Sequence, residues 1–121
     1  MGWDVEYTDE FGAWWESRSD DQQERIVALV GLLEERGPTL GRPYTDTLSG
    51  SSIPNLKELR VPTTDEGVLR ILFAFDLLRV AILLLGGDKT GAWNDWYKWA
   101  IAEAERLYEG HLVQLRREGL L

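Results

Sequence analysis

The sequence has no cysteine, and its single histidine is His111. The lack of cysteine excludes disulfides, thiolate metal sites and a cysteine nucleophile. His111 is set among Leu112, Arg116 and Arg117, far along the chain from any candidate motif, so we interpret it as a surface residue. A histidine-dependent nuclease or metal site is therefore not expected. The acidic residues follow helix faces rather than forming a facing cluster, so the sequence predicts no metal and no other cofactor.

Long hydrophobic runs are also missing. The longest, residues 80–85, is too short to cross a bilayer, and no membrane association is expected. The first residues lack the basic and apolar regions of a signal peptide. The sequence therefore predicts a soluble, cytoplasmic protein. Its 121 residues, of which 44% are hydrophobic, suffice for one domain over residues 1–121.

Positive charge is scarce, with 13 Lys and Arg against 21 Asp and Glu and a net charge of −8. This balance opposes binding to a polyanion. The excess is concentrated in residues 1–36, which hold ten acids and three bases, whereas residues 57–98 hold six of each. The later part can therefore still bind an anion locally. The acidic front is a solvated face or a surface for a basic protein partner.

The first half of the chain reads as one strand and two helices. Alternating apolar and polar residues over residues 3–7 predict a strand. Helix-start signals follow at residues 8–9 and again at 19–21, and Gly37 with Pro38 ends the second helix. Residues 38–55 predict a long connection without regular structure, which is often functional or mobile.

The second half predicts three strands and a long helix. The strands cover residues 56–61, 68–75 and 79–85, and their short links favour an antiparallel meander. Apolar residues at helical spacing extend over about residues 94–117. The element order β-α-α-β-β-β-α predicts an α+β fold, with two helices before an antiparallel sheet and one after it.

Strand parity sorts the side chains of this sheet into two faces. Apolar residues at odd positions of two strands predict the core side: Leu59, Val61, Leu69, Ile71, Phe73 and Phe75. Glu58, Arg60 and Arg70 then share the opposite face, where folding does not require the charge of Arg70. The glycine-rich end of the last strand brings Lys89 near this surface and lets the backbone approach a ligand. Alternatively, the arginines and Glu58 form a cross-strand ion pair on a solvated sheet, and Lys89 is a turn residue.

Aromatic residues follow the last strand. Trp93 and Trp96 are candidates for stacking on nucleic-acid bases, although aromatics at helical spacing usually belong to a core. We expect Trp93 or Trp96 to be partly exposed, and Tyr97 and Trp99 to be packed.

Three segments together resemble the core motifs of HigB-like toxins in the RelE/ParE superfamily. They are PNLKELR at residues 54–60, LRILFAFD at 69–76 and LLLGGDKTG at 83–91, and the aromatic residues 93–97 also fit. The resemblance covers nearly the whole chain. It implies a RelE-like fold with a curved antiparallel sheet.

The resemblance also implies a function. Such a protein is the toxin of a type II toxin–antitoxin system, a metal-independent ribonuclease that cuts mRNA at the ribosome (an mRNA interferase). A cognate antitoxin, expected to be a helix-turn-helix protein, neutralises it. By position, Arg60, Arg70 and Lys89 would stabilise the charged transition state, and Glu58 or Lys57 would transfer protons.

A second function remains open, because fold alone does not decide activity. The chain could be a non-enzymatic, ParE-like or inactive toxin-fold protein that acts by binding a protein partner. Convergence of Arg60, Arg70 and Lys89 on one phosphate-sized spot without an intervening carboxylate would favour the enzyme.

Overall fold

The computed structural model describes residues 2–54, 56–64, 67–87 and 93–121, and for residues 93 and 94 the backbone only. It confirms the α+β class. The elements, in chain order, are β1 Asp4–Tyr7, α1 Asp9–Glu16, α2 Asp20–Arg36, a 3-10 turn Gly37–Thr39, β2 Thr45–Thr47, β3 Lys57–Pro62, β4 Val68–Phe75, β5 Val80–Gly87 and α3 Trp93–Arg117.

The two leading helices begin at the residues that the sequence indicates, and the second also ends where expected. The Thr8 hydroxyl accepts a hydrogen bond from the Phe11 amide at 3.0 Å, and the Ser19 hydroxyl accepts one from the Gln22 amide at 3.2 Å. These side chains satisfy amides that have no partner within the helix. Helix α2 ends at Gly37, whose φ of 57° suits a residue without a side chain.

The sheet has five strands in the order β1-β5-β4-β3-β2. Strands β3, β4 and β5 form the predicted antiparallel meander. The expectation of a wholly antiparallel sheet was wrong, because β1 lies at the edge and pairs with β5 in parallel. Parallel partners need a long connection between them, and the two helices and the meander provide it. The alternation of apolar and polar residues identified β1 as a strand, but this pattern does not specify which strand β1 pairs with.

The connection over residues 38–55 was also predicted incorrectly in part. It contains the short strand β2, which pairs with β3 and forms the other edge of the sheet. Thr45 of this strand is buried and donates a hydrogen bond from its hydroxyl to the Leu40 carbonyl at 2.6 Å. The connection is therefore anchored to the sheet at its middle.

Both faces of the sheet are covered, so the core has two parts. The odd positions lie on the core side, as predicted, and pack against α1 and α2 through Phe11, Ile26 and Leu33. The even positions were expected to form an open, solvated face. Instead α3 lies across them and buries Leu72 and Ala74 completely.

Helix α3 spans 25 residues and ends with Arg116 and Arg117, where the helix dipole favours positive charge. Its buried side chains include Ala100, Ala104 and Leu107, which pack on the sheet. Charged residues alternate with these along the helix. Among the described residues, no helix has the length and apolar character needed to cross a membrane.

Candidate functional site

A buried carboxylate lies at the centre of the candidate site. Glu58, on β3, is only 2% exposed. Its Oε2 accepts hydrogen bonds from Arg60 Nε and from Arg70 Nη1, each at 2.9 Å, and its Oε1 accepts one from the Tyr97 hydroxyl. Arg60 and Arg70 face each other across β3 and β4 in the sheet register. Two strands and helix α3 thus converge on one side chain.

The pairing of charges continues to the edge of the sheet. Arg60 Nη2 lies 3.2 Å from Asp46 Oδ2, and Arg42 Nη2 lies 2.9 Å from the same oxygen. We call these five residues, Arg42, Asp46, Arg60, Glu58 and Arg70, the arginine ladder. With three bases and two acids, its formal charge is +1 in a chain of −8. The ladder is therefore a local exception to the acidity of the molecule.

Interactions within the arginine ladder shift the pKa values of two of its members, Asp46 and Arg60. The hydrogen bond from Arg42 is the main reason that the pKa of Asp46 lies below its usual value. The hydrogen bond to Glu58 is the main reason that the pKa of Arg60 is raised. The side chains of Arg60 and Arg70 remain 32% and 22% exposed, so solvent reaches both. A planar guanidinium has five N–H donors and matches the geometry of phosphate oxygens.

Tyr97, in the first turns of α3, covers the site on the α3 side of the sheet. Burial raises the pKa of its hydroxyl, and the hydrogen bond to Glu58 raises that pKa further. The guanidinium carbon of Arg70 lies 6.0 Å from the centre of the Tyr97 ring, and Trp96 meets that ring edge to face at 5.0 Å. The phenol is therefore held in its neutral, hydrogen-bond-donating form.

The state of Tyr97 predicts a loss of stability at alkaline pH. Since its folded pKa lies above the unfolded value of about 10, the folded chain keeps a proton that the unfolded chain loses. The stabilising contribution is complete below pH of about 10 and is lost as the pH rises further. Urea unfolding from pH 8 to 11 should show this decline, and Tyr97→Phe should make it shallower. Tyr7→Phe, at an exposed position, is the control; an unchanged slope in Tyr97→Phe would contradict the assignment.

Two glycines at the end of β5 accommodate tryptophan side chains. A side chain at Gly86 would overlap the ring of Trp14, and one at Gly87 would overlap the indole of Trp96. Gly87 is the register partner of Arg70. These glycines were expected to let backbone approach a ligand, whereas within the described residues they seat indoles on opposite faces of the sheet.

Comparison with known proteins agrees with these motifs. The model of the family "Phage derived protein Gp49-like" matches residues 13–109. A Mycobacterium tuberculosis protein assigned as toxin HigB2 is 40% identical over 114 residues, which cover 94% of this chain and 56% of that protein. Another from the same organism, assigned as toxin HigB3, is 46% identical over 100 residues, 83% of this chain and 85% of that protein.

The chain belongs to the Gp49-like family of HigB-type toxins. Its fold is similar to that of solved RelE toxins. The isolated Escherichia coli RelE toxin superimposes with a TM-score of 0.57 at 13% identity, over 83% of this chain and 96% of that one. The archaeal RelE in the RelE–RelB complex from Pyrococcus horikoshii gives 0.56 at 17% identity, over 76% and 100%. Identities this low establish the fold alone.

The structure brings together three of the HigB-type site residues predicted from the sequence, Glu58, Arg60 and Arg70. It does not bring Lys57 to them. Lys57 has the parity of Leu59 and so lies on the opposite face, with its Nζ 3.4 Å from the Thr47 hydroxyl. Lys89 lies outside the described residues.

The aromatic predictions have mixed outcomes. The Trp93 side chain lies outside the described residues, and Trp96 is half-buried, as expected for one of the pair. Tyr97 is packed against the site. Trp99 is 58% exposed, so its predicted packing was wrong. Several aromatics in succession on one helix must point in different directions, because each residue advances the helix by about 100°.

The surface interpretation of His111 was wrong. Its ring Nε2 lies 2.9 Å from Asp76 Oδ2, and the two side chains are 14% and 1% exposed. The other oxygen of Asp76 accepts hydrogen bonds from the Leu78 and Val80 amides, in the turn between β4 and β5. His111 thus fastens α3 to that turn. In the part of the chain that the structure describes, no group of three or more His, Asp or Glu is arranged to hold a metal.

Three members of the site, Arg42, Asp46 and Tyr97, were missed at the level of sequence. Arg42 and Asp46 lie in the proline-containing connection, where no periodicity assigns them to a strand face. Tyr97 was noted only as an aromatic, and its hydrogen bond spans 39 positions to Glu58. The signal for Tyr97 was its place four residues after Trp93 in the motif-bearing segment, where it begins the helical stripe that faces the sheet.

Proposed function

We propose that this chain is the toxin of a toxin–antitoxin system and that it cleaves mRNA at the ribosome. The observation that carries the proposal is the pair Arg60 and Arg70, adjacent on neighbouring strands and both open to solvent. The family membership supports the assignment as a toxin. In this proposal the protein acts in the cytoplasm, as one domain, and a cognate helix-turn-helix antitoxin neutralises it.

The chemistry follows from the RNA itself. The 2′-hydroxyl loses its proton as its oxygen attacks the adjacent phosphorus, the bond from phosphorus to the 5′ oxygen breaks, and a proton passes to that leaving oxygen. The products are a 2′,3′-cyclic phosphate and a 5′-hydroxyl end. Negative charge accumulates on the phosphoryl oxygens, and Arg60 and Arg70 would stabilise it. Lys89 is assigned the same role only because its position in the sequence resembles that of a basic residue in HigB-like toxins.

Glu58 has a positioning role in this scheme. It accepts hydrogen bonds from Arg60, Arg70 and Tyr97, so its oxygens are already engaged. A buried carboxylate held in this way orients two guanidiniums that would otherwise repel each other. We therefore assign to Glu58 the spacing of the arginines rather than removal of the 2′-hydroxyl proton.

Glu58 also supports the non-enzymatic alternative. Glu58 is the intervening carboxylate, and it neutralises part of the charge that a phosphate would meet. If the ladder is only a structural ion-pair network, the chain would poison its target by occupancy. Toeprinting of a translated mRNA with the purified protein separates the two functions. New 5′ ends within the ribosome-bound codon are expected for the enzyme, and stalled ribosomes on intact mRNA for the binder.

The chemistry makes a further prediction about the substrate. An mRNA with a single 2′-deoxy nucleotide immediately 5′ of the mapped cut should resist cleavage there, because the attacking oxygen is absent. Cleavage should fall to background at that position, as primer extension would measure. A deoxy nucleotide three positions upstream is the matched control and should leave the cut in place. Equal cleavage of both RNAs would rule out attack by the 2′-hydroxyl.

A further inference from the structure

A cleft lies beside the arginine ladder, between the turn around Gly50 and helix α3. Its volume is about 380 Å³. Tyr97 lines this cleft and also donates its hydroxyl hydrogen bond to Glu58, so the cleft shares a wall with the candidate site. The remaining lining residues all belong to α3: Lys98, Ile101, Ala102 and Glu105.

One carboxylate holds the turn against α3. Glu105 Oε2 accepts hydrogen bonds from the Ser51 hydroxyl at 3.1 Å, the Ser52 hydroxyl at 2.7 Å and the Ser52 amide at 2.5 Å. Ile53, which follows them, is buried against the α3 side of the sheet. A side chain built at Gly50 would meet no atom within 4 Å, so the cleft is open on that side. The walls of the cleft are therefore already in place without an occupant.

All three of these hydrogen bonds use the same oxygen of Glu105. Over the described ranges of the chain, the other oxygen, Oε1, has no hydrogen-bond or ion-pair partner. The hydrogen bonds from Ser52, first of all the one from its backbone amide, hold the pKa of the Glu105 carboxyl below its usual value. An ionised carboxylate can only accept hydrogen bonds. Holding the turn requires Oε2 alone, and Oε1 is available to a donor in the cleft.

The other lining residues fit a flat group with apolar faces and polar edges. Ile101 and Ala102 offer apolar contact between the two ends of the cleft. Lys98 is exposed and, among the residues that the structure describes, has no ion pair. A nucleobase has such faces and edges, and its own phosphate is a partner for an ammonium.

The charges of the cleft determine which part of a nucleotide it can hold. A phosphate inside the cleft would be repelled by Glu105, whereas Arg60 and Arg70 attract one at the ladder. Tyr97 and Glu105 are eight positions apart, about 12 Å along α3, and helical side chains lean toward the N-terminus, which shortens the gap. One nucleotide spans a comparable distance from its phosphate to the outer edge of its base.

We infer that the cleft binds the base of a nucleotide next to the scissile phosphate, and that Glu105 Oε1 selects a base with an exocyclic amino group. The inference rests on the proposed function, in which Arg60 and Arg70 hold that phosphate. Adenine, cytosine and guanine have such an amino group. Uracil has instead one N–H between two carbonyl oxygens, which a carboxylate repels. Uracil is therefore the base that the cleft disfavours.

The first test compares mRNAs that differ only in the two nucleotides flanking the mapped cut. Cytosine and uracil form a matched pair, because their rings have the same size and differ in an amino group or an oxygen. At one of the two positions, the wild type should cleave the cytosine mRNA about tenfold faster, the value of one hydrogen bond to a charged group. Primer extension at limiting protein measures the rates.

Glu105→Gln should reverse this preference. The atom that holds Ser51 and Ser52 must be an acceptor, so the amide oxygen takes the place of Oε2 and the amide nitrogen takes that of Oε1. The nitrogen donates, and the oxygen of uracil accepts. Cleavage of the cytosine mRNA should fall about tenfold, and the uracil mRNA should become the better substrate.

Two further variants separate recognition of the base from support of the turn. Ser52→Ala weakens the hold on the turn but leaves Oε1 in place, so the ratio of cytosine to uracil cleavage should stay as in the wild type. Glu109→Gln, at an exposed position on α3, should change neither the rates nor the ratio. Urea unfolding checks that each variant is folded.

The second test does not depend on cleavage. Two deoxy-dinucleotides, one with cytosines and one with uracils, lack the 2′-hydroxyl and cannot be cut. In NMR titrations of the wild-type chain, the cytosine dinucleotide should shift the amide signals of Gly50 and Ser52 and the methyl signals of Ile101. The uracil dinucleotide should shift them only at about tenfold higher concentration.

Equal cleavage of the cytosine and uracil mRNAs at both positions would overturn the inference. A preference that persists in Glu105→Gln, or that Ser52→Ala changes as strongly, would leave Glu105 as a support of the turn. The absence of NMR shifts with either dinucleotide would overturn the cleft as a base site. Shifts that favour cytosine, with no cleavage of any mRNA, support the cleft and count against the proposed function.

Discussion

Arg70→Ala is expected to lower mRNA cleavage by roughly 100- to 1,000-fold, which corresponds to about 2.7–4 kcal/mol of transition-state stabilisation. The physical reason is the loss of a charged, fork-shaped donor at a position where negative charge develops during the reaction. Growth after induction should recover, and toeprint signals should disappear at protein concentrations where the wild type cleaves completely. Arg70→Lys should recover only part of the activity, because an ammonium is a point charge.

The matched control is Arg116→Ala. Arg116 is an exposed arginine on α3, 3.7 Å from Glu109, and takes no part in the ladder. It should leave cleavage unchanged. If folded Arg70→Ala protein arrests translation as strongly as the wild type, the enzymatic proposal fails and the occupancy mechanism is favoured.

The structure also changes what Arg70→Ala should do to stability. From strand parity alone, the fold did not require the charge of Arg70. Its hydrogen bond to the buried Glu58 leads us to expect a cost, because truncation removes one of three donors from a desolvated carboxylate. We expect the free energy of unfolding to fall by about 1–3 kcal/mol. Cleavage should therefore be compared at a temperature where urea unfolding shows both proteins to be folded.

Glu58→Ala is expected to have the largest effect on stability. It leaves two guanidiniums and a phenol without their shared acceptor, and removing one member of a buried ion pair usually costs about 3–5 kcal/mol. We expect about 3 kcal/mol, the lower end, because Arg60 and Arg70 are 32% and 22% exposed and water can reach them. The shift in the urea midpoint measures this. Glu58→Gln should be less damaging, since an amide oxygen still accepts hydrogen bonds.

The control for Glu58→Ala is Glu10→Ala. Glu10 is half exposed and lies 3.5 Å from the exposed Arg106. Exposed ion pairs of this kind contribute about 0–1 kcal/mol. If the two variants unfold at the same urea concentration, the buried Glu58 contributes no more to stability than an exposed glutamate, which would contradict the prediction.

Strand parity was enough to predict the middle of the site. In β3 and β4 every odd position except Lys57 is apolar, so Glu58, Arg60 and Arg70 were expected on the other side, and they lie there. The same alternation places Lys57 on the core-facing side of β3, together with Leu59. Lys57 had nevertheless been a candidate for proton transfer, because it is next to Glu58 in the sequence. A neighbour in a strand is on the opposite face, and this simple geometry separates the two residues.

The remaining features depend on contacts between distant parts of the chain. The parallel pairing of β1 with β5, the pairing of β2 with β3 and the bond between His111 and Asp76 each join segments that have no local signal for one another. The covering of the even face by α3 is of the same kind. Periodicity describes one element at a time, and the choice of partner is made by packing of the whole chain.

The glycine pair at the end of β5 has a consequence for how this family can diverge. Gly86 is in contact with Trp14 and Gly87 with Trp96, so a side chain gained at either glycine would displace an indole. A larger residue at either glycine therefore requires a smaller residue at the position of the paired tryptophan. Among distant relatives, positions 14 and 86 should therefore covary, and so should positions 87 and 96, independently of each other because they lie on opposite faces of the sheet.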